Sequence, residues 1–74
     1  MKPTIGRIVL YRVGQGDDHE LKNNDAKVLP AMIVRVWGDT CVNLKVFADG
    51  YRDIWKTSVT QGDGEYQWSW PERT

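Results

Sequence analysis

Apolar and polar residues alternate with a period of two along most of the chain, and glycine, aspartate and asparagine interrupt the alternation at short intervals. A period of two is typical of a β-strand with one face in a core. It is clearest where Val42, Leu44 and Val46 alternate with Asn43 and Lys45. The pattern predicts five strands, at 7–13, 28–37, 41–47, 51–59 and 66–70.

The segments between these strands predict three tight turns and one long loop. Asp49-Gly50 supplies the positive φ that a tight hairpin needs. The polar segment 14–27 predicts a long irregular loop after the first strand, and no segment has a helical period over ten residues. The 74 residues therefore predict a single all-β domain over 1–74. The expected fold is a small five-stranded antiparallel SH3-like barrel, and an OB-fold, which usually carries a helix after its third strand, is disfavoured.

Two of the predicted strands carry more apolar residues than one core face needs. Ile8 and Leu10 lie on the opposite face of the first strand from Val9 and Tyr11, and the segment 31–36 is apolar at nearly every position. Surplus apolar surface on a small domain is often covered by a second subunit. The pattern therefore leaves a homo-oligomer open as one kind of partner.

The charge balance and the cysteine content exclude several classes of protein. Ten Lys and Arg residues balance ten Asp and Glu residues, so the chain has no general attraction for phosphate. The apolar runs are too short to cross a bilayer, and the N-terminus has no signal-peptide pattern, which predicts a cytoplasmic protein with no membrane partner. Because Cys41 is the single cysteine, it excludes an internal disulfide and a cysteine-based zinc site.

The residues that most often carry catalysis do not suggest an active site. His19 is the one histidine and lies in the polar segment 14–27, whereas Cys41 begins a strand with no evident cation beside it. The Gly14-Gln15-Gly16 sequence precedes neither a helix nor a Lys-Ser/Thr pair, so it is not a phosphate-binding loop. The sequence therefore predicts no enzyme, no cofactor and no metal.

Aromatic residues are the strongest candidates for a binding surface. The chain has four Trp, three Tyr and one Phe, which are too many for so small a core. We expect Trp55, Phe47 and at least one of Trp68 and Trp70 inside, and Trp37, Tyr66 and Tyr51 partly exposed. The predicted binding residues, with the aromatic ones as apolar anchors and the two arginines orienting the partner, are Trp37, Tyr66, Trp68, Arg35 and Arg7.

A second interpretation of the same residues is a nucleic-acid surface. If Arg35, Lys45 and Lys56 share the outer face of the barrel, they form a positive stripe among aromatic residues. Such a stripe binds single-stranded nucleic acid. The sequence therefore leaves nucleic acid open as a less favoured partner than protein.

Several segments resemble a family of small phage- and prophage-encoded proteins of uncharacterised function. They are Gly-Arg-Ile-Val at 6–9, Pro-Ala-Met-Ile-Val-Arg-Val-Trp at 30–37, Val-Asn-Leu-Lys-Val-Phe-Ala-Asp-Gly at 42–50, Trp-Lys-Thr-Ser-Val at 55–59 and Trp-Ser-Trp-Pro-Glu-Arg at 68–73. The resemblance implies a viral origin and a place in the host cytoplasm, and it carries over no site residue. With the aromatic residues, it predicts a non-catalytic phage-encoded module that binds a host or phage protein through exposed aromatics and a sheet edge. The alternatives are a single-stranded nucleic-acid binder and an oligomeric virion or assembly component.

Overall fold

The computed structural model describes residues 1–72, and five antiparallel strands form one sheet in them. Counted in chain order, the strands lie across the sheet in the order fourth, third, second, first and fifth, and the sheet is curled into a half-barrel. The all-β prediction is therefore confirmed. No helix among these residues is long and apolar enough to cross a membrane. The elements are β1 (Ile8–Arg12), the 3-10 helix η1 (His19–Asp25), β2 (Val28–Val36), β3 (Cys41–Phe47), β4 (Asp53–Thr60) and β5 (Trp68–Ser69).

Two β-bulges meet at one residue of the central strand, Asn43. On one side, β2 has an extra residue between Ile33 and Arg35, and Arg35 pairs with Asn43. On the other side, Val42 pairs with Val59 of β4 and Leu44 pairs with Lys56. Two residues of β4 therefore lie opposite Asn43, one more than a regular pairing has. A bulge bends its strand and increases the local twist. Two bulges at the same level therefore contribute to the curl of the sheet.

The core lies on the inner face of the curled sheet. Leu21 of η1 is fully buried and covers part of this face, and Trp68 and Tyr11 are the largest fully buried side chains. The inward positions predicted for β3 are confirmed, since Val42, Leu44 and Val46 are all fully buried. Lys45 is exposed as predicted, whereas Asn43, which the alternation places outside, is buried. Among residues 1–72, the buried apolar residues are Val9, Tyr11, Leu21, Leu29, Ala31, Ile33, Val42, Leu44, Val46, Ala48, Val59 and Trp68.

The connection between β1 and β2 is partly helical, where the sequence predicts an irregular loop. Besides burying Leu21, η1 contacts the β3–β4 hairpin through Asn24, whose side-chain amide donates to Asp49 Oδ2 at 2.8 Å. A second contact joins Arg52 to Glu20, with 3.1 Å between Nη1 and Oε1. The segment consists mainly of turn-forming residues, so the sequence gives no helical pattern. The helix is stabilised by tertiary packing, through the burial of a single leucine.

The placement of two aromatic side chains corrects the sequence prediction. Trp55 is 55% exposed and Phe47 is 38% exposed, so neither lies in the core. Counting in steps of two from the buried Val59 places Trp55 inside, but the β4 bulge, with Ser58 at φ 55°, reverses the phase. Phe47 follows the buried Val46 and points outward by ordinary alternation.

The last strand is also shorter than predicted. It covers only Trp68–Ser69 of the predicted 66–70. Tyr66 has a φ of 65°, outside the strand region, and its side chain is exposed whereas Trp68 is fully buried. Strict alternation predicts that the three aromatic residues at 66, 68 and 70 point in one direction. In the structure they do not.

Candidate functional site

Trp37 is exposed and yet held in place, at the end of β2. Its indole is 55% exposed, and its Nε1–H donates to Asn43 Oδ1 at 2.9 Å. The guanidinium of Arg35 lies over the ring, with 4.3 Å between Cζ and the ring centroid. The structure therefore brings two of the predicted binding residues, Arg35 and Trp37, into direct contact. An exposed aromatic ring that is already fixed loses little conformational entropy when a partner binds.

Asn43 organises this site and was not among the predicted residues. Its Oδ1 also accepts hydrogen bonds from the Ser58 backbone N–H at 2.8 Å and the Thr57 hydroxyl at 3.1 Å. The two bulges bring these donors together, because each puts two residues of a flanking strand opposite Asn43. Strand alternation alone predicts a solvent-facing asparagine, whereas Asn43 is buried. We call Arg35, Trp37, Asn43, Thr57 and Ser58 the Trp37 corner.

The outer face of the sheet continues from the Trp37 corner with apolar side chains. Trp55 lies on this face two residues before Thr57, and it pairs across the sheet with Lys45. Lys45 in turn pairs with Met32, and Met32 with Ile8, which is also exposed. One row of the outer face is therefore apolar except for Lys45, and it ends on β4, an edge strand of the sheet. An exposed apolar row of this kind is typical of an interaction surface.

Trp68 is not an exposed anchor, which corrects the sequence prediction. Its side chain is fully buried, and its Nε1–H donates to the backbone carbonyl of Thr40 at 3.1 Å. Its ring meets the Trp70 ring edge to face, with 5.3 Å between centroids. Inward alternation on β5 places it in the core, where it fills the space between β1 and the β2–β3 hairpin. A buried indole makes no contact with a partner.

Tyr66 and Arg7 lie away from the Trp37 corner. Tyr66 follows the turn beside β1, where its ring covers Gly14 and its hydroxyl accepts the Gly16 N–H at 2.7 Å. A Cβ atom at Gly14 would overlap the Tyr66 ring, so this position requires glycine. Arg7 lies over the ring of Trp70, at 5.5 Å from its centroid. The five predicted binding residues therefore occupy separate places, and only Arg35 and Trp37 form a joint surface.

A buried ion pair connects the β1–β2 segment to β4. Lys56 Nζ lies 2.5 Å from Asp17 Oδ1, and the Asp17 side chain is fully buried. Asp17 Oδ2 also accepts the Tyr11 hydroxyl at 2.9 Å and the Gly14 N–H at 2.8 Å. Lys56 points inward because of the β4 bulge, so the predicted outer stripe of Arg35, Lys45 and Lys56 does not form. This cluster is structural, since all its charged groups are engaged with one another.

The electrostatics of this cluster follow from burial and from its hydrogen bonds. Burial by itself raises the pKa of Asp17, but the hydrogen bonds from Lys56, the Gly14 N–H and Tyr11 outweigh it and hold that pKa below its ordinary value. Burial, then the hydrogen bond to Asp17 and its charge, raise the pKa of Tyr11 well above its ordinary value. Asp17 therefore stays ionised and Tyr11 stays neutral at physiological pH.

The groups considered for catalysis remain apart. His19 is exposed at the start of η1, and Cys41 is a free, partly buried cysteine at the start of β3. Within residues 1–72, the structure has no group of three or more His, Cys, Asp and Glu side chains placed to hold a metal ion. The side chains of the Trp37 corner do converge, and Arg35 and Trp37 in it are exposed.

The fold and the corner define the class of protein as a small all-β domain with a curled five-stranded sheet and an exposed aromatic site. Comparisons of the chain with protein family models, with curated proteins and with solved structures find no match in any of the three.

Removing the Asn43 carboxamide should weaken the corner and the fold together. We expect Asn43→Ala to lower the free energy of unfolding by about 1–3 kcal/mol, because three donors lose their acceptor. Asn43→Asp is the matched control, since a carboxylate oxygen accepts the same hydrogen bonds. Urea denaturation measures both changes, and equal losses for the two variants would contradict the role given to Oδ1.

Proposed function

We propose that this chain is a non-catalytic binding module that contacts a protein partner through the Trp37 corner and Trp55. The main support for this proposal is that the Trp37 side chain is exposed to solvent but held in one orientation by Asn43 and Arg35. Central interface residues that contribute most to affinity are enriched in tryptophan and arginine. Trp55 adds a second exposed indole on the same face, beside the edge of β4.

We also propose that the curled sheet is an SH3-like barrel. The strand order β4-β3-β2-β1-β5, with a long connection between β1 and β2, supports an SH3-like barrel. The parallel bridge from Gln61 to Trp68, which joins the end of β4 to β5, supports closure of the sheet at one end. We further propose a phage origin, from the sequence resemblance, and action in the host cytoplasm.

The charges on the outer face favour a protein over a nucleic acid. Lys56 points inward to Asp17, and Lys45 pairs with Asp53 at 3.4 Å, which leaves Arg35 as the cation of the Trp37 corner. Binding to phosphate chains draws on several cations and weakens steeply with salt. Single-stranded nucleic acid remains the second candidate, and fluorescence anisotropy with a labelled oligonucleotide at two salt concentrations tests it.

The proposal is tested by affinity capture with matched variants, from host-cell lysate to which the untagged wild-type chain has been added. The baits are the wild-type chain, Trp37→Ala, Trp55→Ala and the control Tyr51→Ala, which removes a side chain that is 94% exposed. We expect Trp37→Ala and Trp55→Ala each to reduce the recovery of the same protein about tenfold, the loss typical of a central interface residue. Tyr51→Ala is expected to leave recovery unchanged.

Circular dichroism shows whether each bait is folded, so that loss of binding is separated from loss of structure. If folded Trp37→Ala and Trp55→Ala baits recover the same proteins in the same amounts as the wild type, the proposed surface is wrong.

A further inference from the structure

A second feature of the outer face is an apolar groove at the end of β2 opposite to the Trp37 corner. It has a volume of about 470 Å³, and its apolar lining includes Val28, Pro30, Phe47 and Ala48. Val28 and Phe47 are both partly exposed. An enclosed cavity of about 150 Å³ is enough to hold benzene, so the groove has room for an aromatic side chain.

The groove also carries a negative charge. Asp49 is among its lining residues, and Asp49 Oδ2 accepts the side-chain amide of Asn24 at 2.8 Å, which fixes the carboxylate in place. The side chain that suits this groove is therefore apolar and aromatic, with a cation beside it. The Trp37 corner has this composition, since Arg35 lies over the Trp37 ring.

We propose that the groove binds the Trp37 corner of a second copy of this chain. This inference rests on the proposed function and names the partner of the same surface. The Trp37 indole enters between Val28, Pro30 and Phe47, and the Arg35 guanidinium approaches Asp49. The contact joins an apolar ring to an apolar groove and a cation to an anion, so polarity and charge both match.

The contact forms between molecules and not within one. Trp37 lies seven positions after Pro30 along the extended chain, which corresponds to roughly 20 Å. The fixed indole of Trp37 cannot reach the groove of its own chain. Each molecule therefore offers one corner and one groove, and association proceeds from the corner of one copy to the groove of the next.

Sedimentation velocity on the purified chain, from micromolar to millimolar concentration, tests the inference first. The wild type is expected to form an oligomer whose population rises with concentration. Trp37→Ala removes the indole, and Val28→Lys places a cation in the groove, so each is expected to weaken association at least about tenfold. Tyr51→Ala is the control that leaves association unchanged.

Mixing the two impaired variants is the decisive measurement. Trp37→Ala keeps a functional groove and Val28→Lys keeps a functional corner, so an equimolar mixture is expected to form a heterodimer that neither variant forms alone. Light scattering detects this as a doubling of mass. A charge exchange, Arg35→Glu mixed with Asp49→Lys, tests the ionic contact in the same way.

Three results would overturn the inference: a wild-type chain that stays monomeric at millimolar concentration, an oligomer that both variants still form, or a mixture that does not associate. These results are distinguishable from failure of the proposed function. A monomeric chain that still captures a different protein through Trp37 refutes the second copy as partner and leaves the proposed binding surface in place.

Discussion

Replacing Trp68 with alanine is expected to lower the free energy of unfolding by about 3–5 kcal/mol, as for other fully buried large aromatic residues. A 74-residue domain has a total stability of about 4–11 kcal/mol, so this single change removes a large share of it. Trp68 joins three parts of the fold, because its indole contacts Trp70 and Thr40 and its backbone accepts the Gly62 N–H. Urea denaturation followed by circular dichroism measures the loss.

Trp68→Phe is the matched control for this prediction. It keeps a ring in the core and removes the indole N–H, while the Thr40 carbonyl keeps the Gln61 N–H as a donor at 2.8 Å. We therefore expect a smaller loss than for Trp68→Ala. Partner binding by the folded fraction should be unaffected in both variants. The prediction is wrong if Trp68→Ala is as stable as the wild type, or if a fully folded variant binds the partner more weakly. Either result would indicate that Trp68 belongs to the binding surface.

Replacing Asp17 with asparagine is expected to cost about 3 kcal/mol. The asparagine side chain keeps an oxygen to accept the Gly14 N–H and the Tyr11 hydroxyl, but Lys56 loses its counter-ion. Breaking a buried pair by removing one partner typically costs about 3–5 kcal/mol, and the value is at the lower end here because the Lys56 side chain is 26% exposed. Chemical denaturation at neutral pH measures the change.

A double variant separates the charge from the packing. Asp17→Asn with Lys56→Met removes both charges and keeps the volume of the lysine stem, so it is expected to recover most of the stability that Asp17→Asn loses. If the double variant is no more stable than Asp17→Asn alone, the uncompensated lysine is not the cause of the loss.

The same cluster sets how stability depends on pH. Because Asp17 has a lower pKa in the folded protein than its ordinary value of 3.8, its contribution is fully present above that pH. The contribution is lost as the pH falls below 3.8 toward the pKa of the folded state. For Tyr11, the raised pKa means that stability declines as the pH rises above 10.0, its ordinary value. Denaturation midpoints of the wild type and of Asp17→Asn across the acidic range should therefore converge at low pH.

The local pattern of the sequence is enough to predict most of the strands. Alternation at 41–47 identifies the core positions of β3, and the Asp49-Gly50 turn marks the hairpin that follows. These features depend on neighbouring residues along the chain, because the steric preferences of a strand and of a tight turn are local. Sequence reasoning also identifies Trp37 as partly exposed and names both Trp37 and Arg35 as binding residues, whereas the contact between them is known only from the structure.

The direction of the β4 side chains is not available from the same pattern. Trp55 and Lys56 exchange their predicted faces because β4 carries a bulge at Ser58, and the bulge depends on the hydrogen bond from Ser58 N–H to Asn43 on another strand. One inserted residue exchanges the inward-facing and outward-facing side chains at every strand position before it. Alternation therefore places Trp55 in the core, and the tertiary contact places it on the surface.

The sequence by itself determined that this chain is an all-β domain, where its strands lie along the chain, and that it has more aromatic rings than its core can hold. Only the tertiary structure decided that Trp55 and Phe47 are exposed, that Trp68 is buried, and that Asp17 and Lys56 meet inside. The physical reason is the range of the interactions. Strand formation follows from residues one or two positions apart, whereas bulges and buried ion pairs join residues that are distant along the chain and meet only when the sheet curls.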